Sequence, residues 1–279
     1  MRALFLFSSL LIVGLISCNK EGSMPVVIED DISVVSEAKH TVLIEPTVSV
    51  NCGACPLAHH QIESLESEFD NITHMSHYLF GPLYHPYSKY LMDKIDKTVY
   101  TPLGHVDRRH EEGSVVYYPV DMFRGIYGQE INESTGIELA LARTHMTAEV
   151  ELTLEVATET ESLKAPMMVT VVLVEKEVTG IGNGYDQRNY GNDDPEHPYY
   201  QRGDWIEGFV HTQVIRDVLT AYEGDAIDLT SGQATWTYSM DPTELDQELS
   251  EYAIIAFVNR PGDDIQPILN AIQADLSEE

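Results

Sequence analysis

What this sequence has little of narrows it quickly. Basic residues number 16 against 46 acidic ones, a formal charge of −30. A surface of that sign repels phosphate backbones and anionic head groups, so nucleic acid is excluded as a partner. After the first 17 residues no segment approaches ~18 consecutive apolar residues, so the rest of the chain carries no membrane-spanning helix of its own. Catalytic signatures are missing as well. There is no serine-histidine-acid motif, no glycine loop to cradle phosphate and no metalloprotease helix, and nothing calls for a cofactor. Cysteine is scarcest of all, with Cys18, Cys52 and Cys55 the only three. What remains is a hydrophobic fraction of 43%, enough for a substantial core.

The first residues have the layout of an export signal. Met1-Arg2 gives a positive start, followed by the apolar stretches 3–7 and 10–16. That length suits a secretory signal and is short for a bilayer span. It ends in Leu15-Ile16-Ser17-Cys18, which resembles the bacterial lipobox. In such signals cleavage precedes the cysteine, which then carries acyl chains such as palmitate. The expectation is therefore a signal peptide over 1–17, an acylated Cys18 and a membrane anchor. An ordinary signal peptide with an incidental cysteine is the alternative. Residues 18–39, polar and without period, read as a flexible tether.

From residue 40 the text changes. The run 41–50 is rich in β-branched residues and reads as a strand. Asn51-Cys52-Gly53-Ala54-Cys55-Pro56 follows, and then Leu57, Ala58, Ile62, Leu65 and Phe69 recur at helical spacing. Residues 72–78 suggest a second strand and 88–95 a short helix. Residues 113–123 suggest a strand that holds Pro119, which a central strand rejects unless the backbone does something special. Past residue 136 successive strands follow without helices (137–146, 148–157, 167–178 and 253–258), with a closing strand or helix over 265–276. A long polar loop spans 180–204, its acidic part Asp193-Asp194-Pro195-Glu196 solvated rather than calcium-binding. The pattern predicts an α/β domain over 40–136 and an all-β, sandwich-like domain over 137–279.

The chemistry concentrates at Cys52-Gly53-Ala54-Cys55. With Cys18 lipidated, two cysteines three apart in an oxidising compartment pair with each other. So short a loop constrains the unfolded chain little, which makes stability a weak reason for it. At a strand-to-helix junction the helix dipole favours a thiolate, so Cys52 is the candidate nucleophile and Cys55 the resolving thiol.

The stretch Val42–Thr47, Asn51–Pro56 and His59 resembles the opening of the Omp28-related outer-membrane lipoproteins of Bacteroidetes. The resemblance continues at Tyr118–Gly125, His211–Thr220 and Ile254–Arg260. It implies a thioredoxin-like domain joined to a C-terminal β-rich domain, and an outer-membrane location. It also implies that Pro119 is a cis proline facing the cysteine pair. The sequence departs from thioredoxin in having Asn51 before the first cysteine and Pro56 after the second.

Three functions fit these residues. One is thiol–disulfide exchange with protein thiols or disulfides, with Cys52, Cys55 and Pro119 as the site. A second is copper or zinc handling by Cys52, Cys55 and His59, since Cys55 and His59 are four apart on one helix face. His74, His77, His85, His105 and His110 are further candidate ligands. The third is a binding or structural module whose disulfide only holds a loop. Plainer readings make His59 and His60 solvated helix residues, and make His105 and His110 surface groups beside Asp107-Arg108-Arg109.

Overall fold

The computed structural model describes residues 32–36, 39–95, 100–111, 114–115, 118–132, 135–145 and 149–277. The signal segment, Cys18 and most of the tether lie outside the described residues. The chain begins with β1 (Ile32–Ser36), β2 (Val42–Val48), α1 (Cys55–Glu68), β3 (Ile72–His74), β4 (His77–Tyr78) and α2 (Pro86–Ile95). It continues through β5 (Leu103–Val106), the short β6 (His110–Glu111), β7 (Ser114–Val115) and β8 (Tyr118–Pro119), then α3 (Phe123–Glu130). Strands follow: β9 (Glu138–His145), β10 (Val150–Ala157), β11 (Pro166–Val178), β12 (Gln187–Arg188), β13 (Trp205–Ile206) and β14 (His211–Val218). The last are β15 (Asp225–Asp228), β16 (Gln233–Met240), β17 (Tyr252–Asn259) and β18 (Ile268–Asp275).

Three sheets stack. The outer one runs β1-β9-β10-β16 and the central one β14-β11-β17-β18, with β15 added beside β11. The third runs β3-β2-β5-β8, with β2 and β3 parallel and β5 and β8 antiparallel to their neighbours. Side-chain alternation along a strand explains the stacking. In β10, Val150, Leu152, Leu154 and Val156 point into the sandwich core while Glu155 faces water. In β17, Ile254, Ala256 and Val258 enter that same core, whereas Ala253, Ile255 and Phe257 face the other way. There they meet Leu43, Met75 and Tyr87 of the α/β layer. A sheet covered on both faces reads as a continuous apolar run, and all eight residues of β17 are buried. On the far side of β2, Val42 and Ile44 pack with Ala58, Ile62 and Leu65 of α1 and Phe123, Ile126 and Tyr127 of α3.

Several expectations need correction. Ile32–Ser36, taken as tether, pairs with Leu139–Arg143 as an edge strand of the outer sheet. The segment around Pro119 is not one strand but two short ones followed by a helix. That helix is marked by Phe123, Ile126 and Tyr127 at helical spacing. The closing element is the strand β18. The cis X–Pro bond among the described residues lies at Thr101–Pro102, heading β5, instead of at Pro119. Pro119 is exposed in β8 at the edge of its sheet, where proline fits without special geometry.

Candidate functional site

β2 ends at Val48, and the chain turns through Ser49–Ala54 into α1. The Cys52 N–H donates to the Ser49 carbonyl (3.0 Å) and the Cys55 N–H to the Cys52 carbonyl (3.1 Å). The helix begins at Cys55, not at Cys52, with Pro56 in its first turn, where a missing N–H costs nothing. Cys52 and Cys55 are joined by a disulfide with their Cα atoms 5.4 Å apart. The two cysteines are not equivalent: Cys52 is 9% exposed and Cys55 is fully buried among Val48, Tyr78, Leu83 and Val214. Leu103 pairs with Thr47, so Pro102 stands at the end of the sheet where β2 runs out toward this turn.

The turn is covered by a segment read as a polar loop. Gln187 is completely buried, and its amide Nε2 donates to the carbonyls of Cys52 (2.8 Å), Val50 (3.2 Å) and Ser49 (3.3 Å). The backbone N–H of Arg188 donates to the Val50 carbonyl and that of Tyr190 to the Gly53 carbonyl, both at 2.8 Å. The Tyr190 ring lies so close over Gly53 that a Cβ there would come within 2.3 Å of it. Asn189 holds the loop's own shape by bonding Tyr199, Gly203 and Gly191. The acidic stretch Asp193–Glu196 is exposed. The signal for this arrangement was the glycine density of the loop, at 180, 182, 184, 191 and 203. Three of these (Gly182, Gly184 and Gly203) have positive φ.

His59 is buried on α1, one turn after Cys55, contrary to the solvated reading. His211 Nε2–H donates to the Tyr185 carbonyl (2.7 Å), which can only accept, so its Nδ1 accepts the Tyr78 hydroxyl proton (2.8 Å). The Tyr78 oxygen then accepts from His59 Nε2 (3.2 Å). Burial, with His211 and His74 nearby, holds the His59 pKa down at about 3, and burial raises that of Tyr78. The chain His59–Tyr78–His211 is therefore neutral and satisfied.

The other histidines disperse. His74 bonds Glu66 and Thr212, His77 bonds Glu45 and Ser88, and His110 bonds the Ile265 carbonyl. His105, Asp107 and Arg108 are buried rather than on the surface. Among the described residues no group of three or more His, Cys, Asp or Glu converges to hold a metal ion. The copper-or-zinc set loses its geometry here, because the two sulfurs bond each other and His59 Nε2 is turned to Tyr78. Arg108 instead forks onto Glu45 through Nε and Nη2 (2.8 Å each) and donates to the Tyr87 hydroxyl, and its guanidinium carbon lies 4.7 Å from the centre of the Phe257 ring of the central sheet. Burial would raise the Glu45 pKa, but Arg108 and His77 overcome it and hold it far below the carboxylate range.

The Outer membrane protein Omp28 family matches residues 91–279, more than half of the chain. The chain belongs to the Omp28 family. Its place is accordingly the outer membrane. Among the described residues, no helix of this Omp28-family protein is long and apolar enough to cross a membrane. In solved structures it is similar to HBP35 of Porphyromonas gingivalis, at 19% identity and a TM-score of 0.61, covering 85% of this chain and 76% of that one. A domain of the outer membrane lipoprotein Omp28 from Porphyromonas gingivalis aligns at 15% identity and a TM-score of 0.30, over 50% of this chain and 88% of that one. No curated protein matches the chain.

Proposed function

We propose that this Omp28-family protein is an outer-membrane thiol–disulfide exchange protein, anchored by lipid on Cys18. In this reading residues 40–136 form a thioredoxin-like domain and residues 137–279 a β-sandwich that buttresses it. Support for the domain comes from the element order β2, α1, β3, α2, β5, β8, α3 and the sheet order β3-β2-β5-β8. The observation that carries the function is a disulfide at a strand-to-helix junction whose two cysteines differ, Cys55 being fully buried and Cys52 lying just under the Gln187–Tyr190 cover with 9% exposure. An incoming thiolate attacks Cys52 Sγ and breaks the bond to Cys55. The product is a mixed disulfide on Cys52 and a thiolate on Cys55, beside the helix N-terminus that stabilises it. A second thiol on the partner then attacks the mixed disulfide. The partner leaves oxidised, and Cys52 and Cys55 remain as thiols. Pro119, on the edge strand β8, has no part in this scheme, because β5, headed by Pro102, is the strand beside β2.

The test is trapping. Run in reverse, the Cys52 thiolate attacks a partner disulfide and Cys55 resolves the mixed disulfide, so Cys55→Ser should accumulate mixed disulfides on Cys52, and Cys52→Ser, left with the buried Cys55, should trap few. Equal and negligible trapping in both variants, with a pair that resists glutathione-range potentials, would sink the proposal. One observation favours a second reading, a disulfide that only clips the turn: the cover formed by Gln187–Tyr190. That cover is also where the exchange reading can be extended.

A further inference from the structure

We infer that Gln187–Tyr190 is an internal stand-in for the exchange partner, and that the partner is an extended, cysteine-bearing polypeptide docking on the main-chain carbonyls of Val50 and Gly53. The inference rests on the exchange reading above. A sulfur that is to be attacked must be reached, yet Cys52 is only 9% exposed and the turn around it is roofed by this segment. The roof is held by the Gln187 amide and by two main-chain bonds, and the main-chain pair is the part a partner can copy. Two N–H groups two residues apart, those of Arg188 and Tyr190, donate to the Val50 and Gly53 carbonyls. That is how one edge of an extended strand presents its donors, and any peptide in that conformation offers the same pair whatever its side chains.

Within the segment Gln187 and Asn189 are buried, and Gln187–Arg188 pairs with β13, but the two side chains that lie over the turn from outside, Tyr190 and Arg188, are exposed. The Tyr190 ring covers Gly53, but it is itself 68% exposed and can swing outward without emptying a core. Arg188 is exposed, its guanidinium over the Tyr190 ring at 5.2 Å, so it too moves without cost to the interior. Gln187 is the latch. Its Nε2 serves three carbonyls of the turn, while its buried Oε1 has no hydrogen-bond partner, a group that gains one on reaching water. Glycines with positive φ at 182, 184 and 203 lie on either side of the segment and give the backbone room to pivot. Opened, the turn offers the carbonyls of Ser49, Val50, Cys52 and Gly53 as acceptors and leaves Gly53 without the ring that covers it. An entering peptide restores the two main-chain bonds, and its thiolate attacks Cys52 Sγ, expelling Cys55 as thiolate.

The experiment measures the rate at which the Cys52–Cys55 disulfide of the full chain reacts with dithiothreitol and with a cysteine-bearing heptapeptide. A second peptide is the same heptapeptide N-methylated at two positions two residues apart, which removes its N–H donors. Gln187→Leu, which removes the amide that bonds the carbonyls of the turn, and Tyr190→Ala, which keeps the main-chain bond but removes the ring over Gly53, should each speed the reaction with the unmethylated peptide roughly tenfold. The N-methylated peptide should lose most of that gain. Amide exchange at Arg188 and Tyr190 in the unaltered chain should quicken when the unmethylated peptide is added, a readout that needs no variant to fold. Rates unchanged in both variants, with amide exchange unaltered by peptide, overturn the inference. Equal rates for the two peptides overturn the docking on Val50 and Gly53. Faster reduction by dithiothreitol in both variants, with no mixed disulfide formed by either peptide, overturns the exchange reading and with it the stand-in, leaving the segment a lid over a structural clip.

Discussion

Glu45→Gln is the substitution whose cost the structure sets most directly. The side chain is fully buried and keeps its shape, but it loses its charge and one of the two oxygens that accept from Arg108. Arg108, 4% exposed, then holds its guanidinium against Tyr87 and Phe257 with no counter-ion. Removing one member of a buried pair costs about 3–5 kcal/mol, because the other is left uncompensated. For a domain of this size about 2–4 °C of melting temperature goes with each kcal/mol, so the midpoint should fall by roughly 6–20 °C. Since Arg108 ties β2 and α2 to the central sheet, the loss should show as looser packing between the α/β layer and the sandwich. Chemical denaturation followed by circular dichroism measures the free energy, and Glu45→Leu/Arg108→Leu provides the control. An apolar pair of similar size needs no counter-ion, so the double variant should be more stable than either single one. A cost for Glu45→Gln below about 1 kcal/mol, the size of a solvated surface pair, would refute the reasoning. A double variant no better than the singles would refute it equally.

Two further outcomes are expected. His59 has a folded pKa near 3 against an ordinary 6.5, so the unfolded chain binds a proton that the folded one refuses. Its stabilising contribution is complete above pH 6.5 and is lost as the pH falls toward 3, by up to about 1.4 kcal/mol per unit. His59→Gln should therefore flatten the fall in urea midpoint between pH 6.5 and about 5, and an unaltered slope would show that His59 is not held neutral. Cys18→Ser should give a chain that is neither acylated nor retained by membranes, and metabolic labelling with fatty acid that persists in this variant would rule out Cys18 as the anchor.

Much of this architecture is local and so was legible in the residues. The helical spacing of Ala58, Ile62 and Leu65, the alternation of Val150, Leu152, Leu154 and Val156, and the unbroken run 253–258 each report which faces of one element are buried. The junction that holds Cys52 and Cys55 follows from the same local signals. The short helix α3 escaped notice because Gly125 and Gly128 interrupt an eight-residue pattern that begins just after a proline-bearing strand.

Nothing local told the polar residues apart. Gln187 and Glu196 lie in one polar loop, yet the first is buried on the cysteine turn and the second is in water. His59 and His60 are neighbours on one helix, and a rotation of about 100° puts one in the core and the other outside. Arg108 looked like part of a charged surface loop until Glu45, 63 residues earlier, was seen to meet it. Hydrophobic periodicity fixes which side of an element faces inward, because apolar burial needs no particular partner. A buried polar group is stable only opposite a specific donor or acceptor, and which distant residue stands there is decided when the sheets stack.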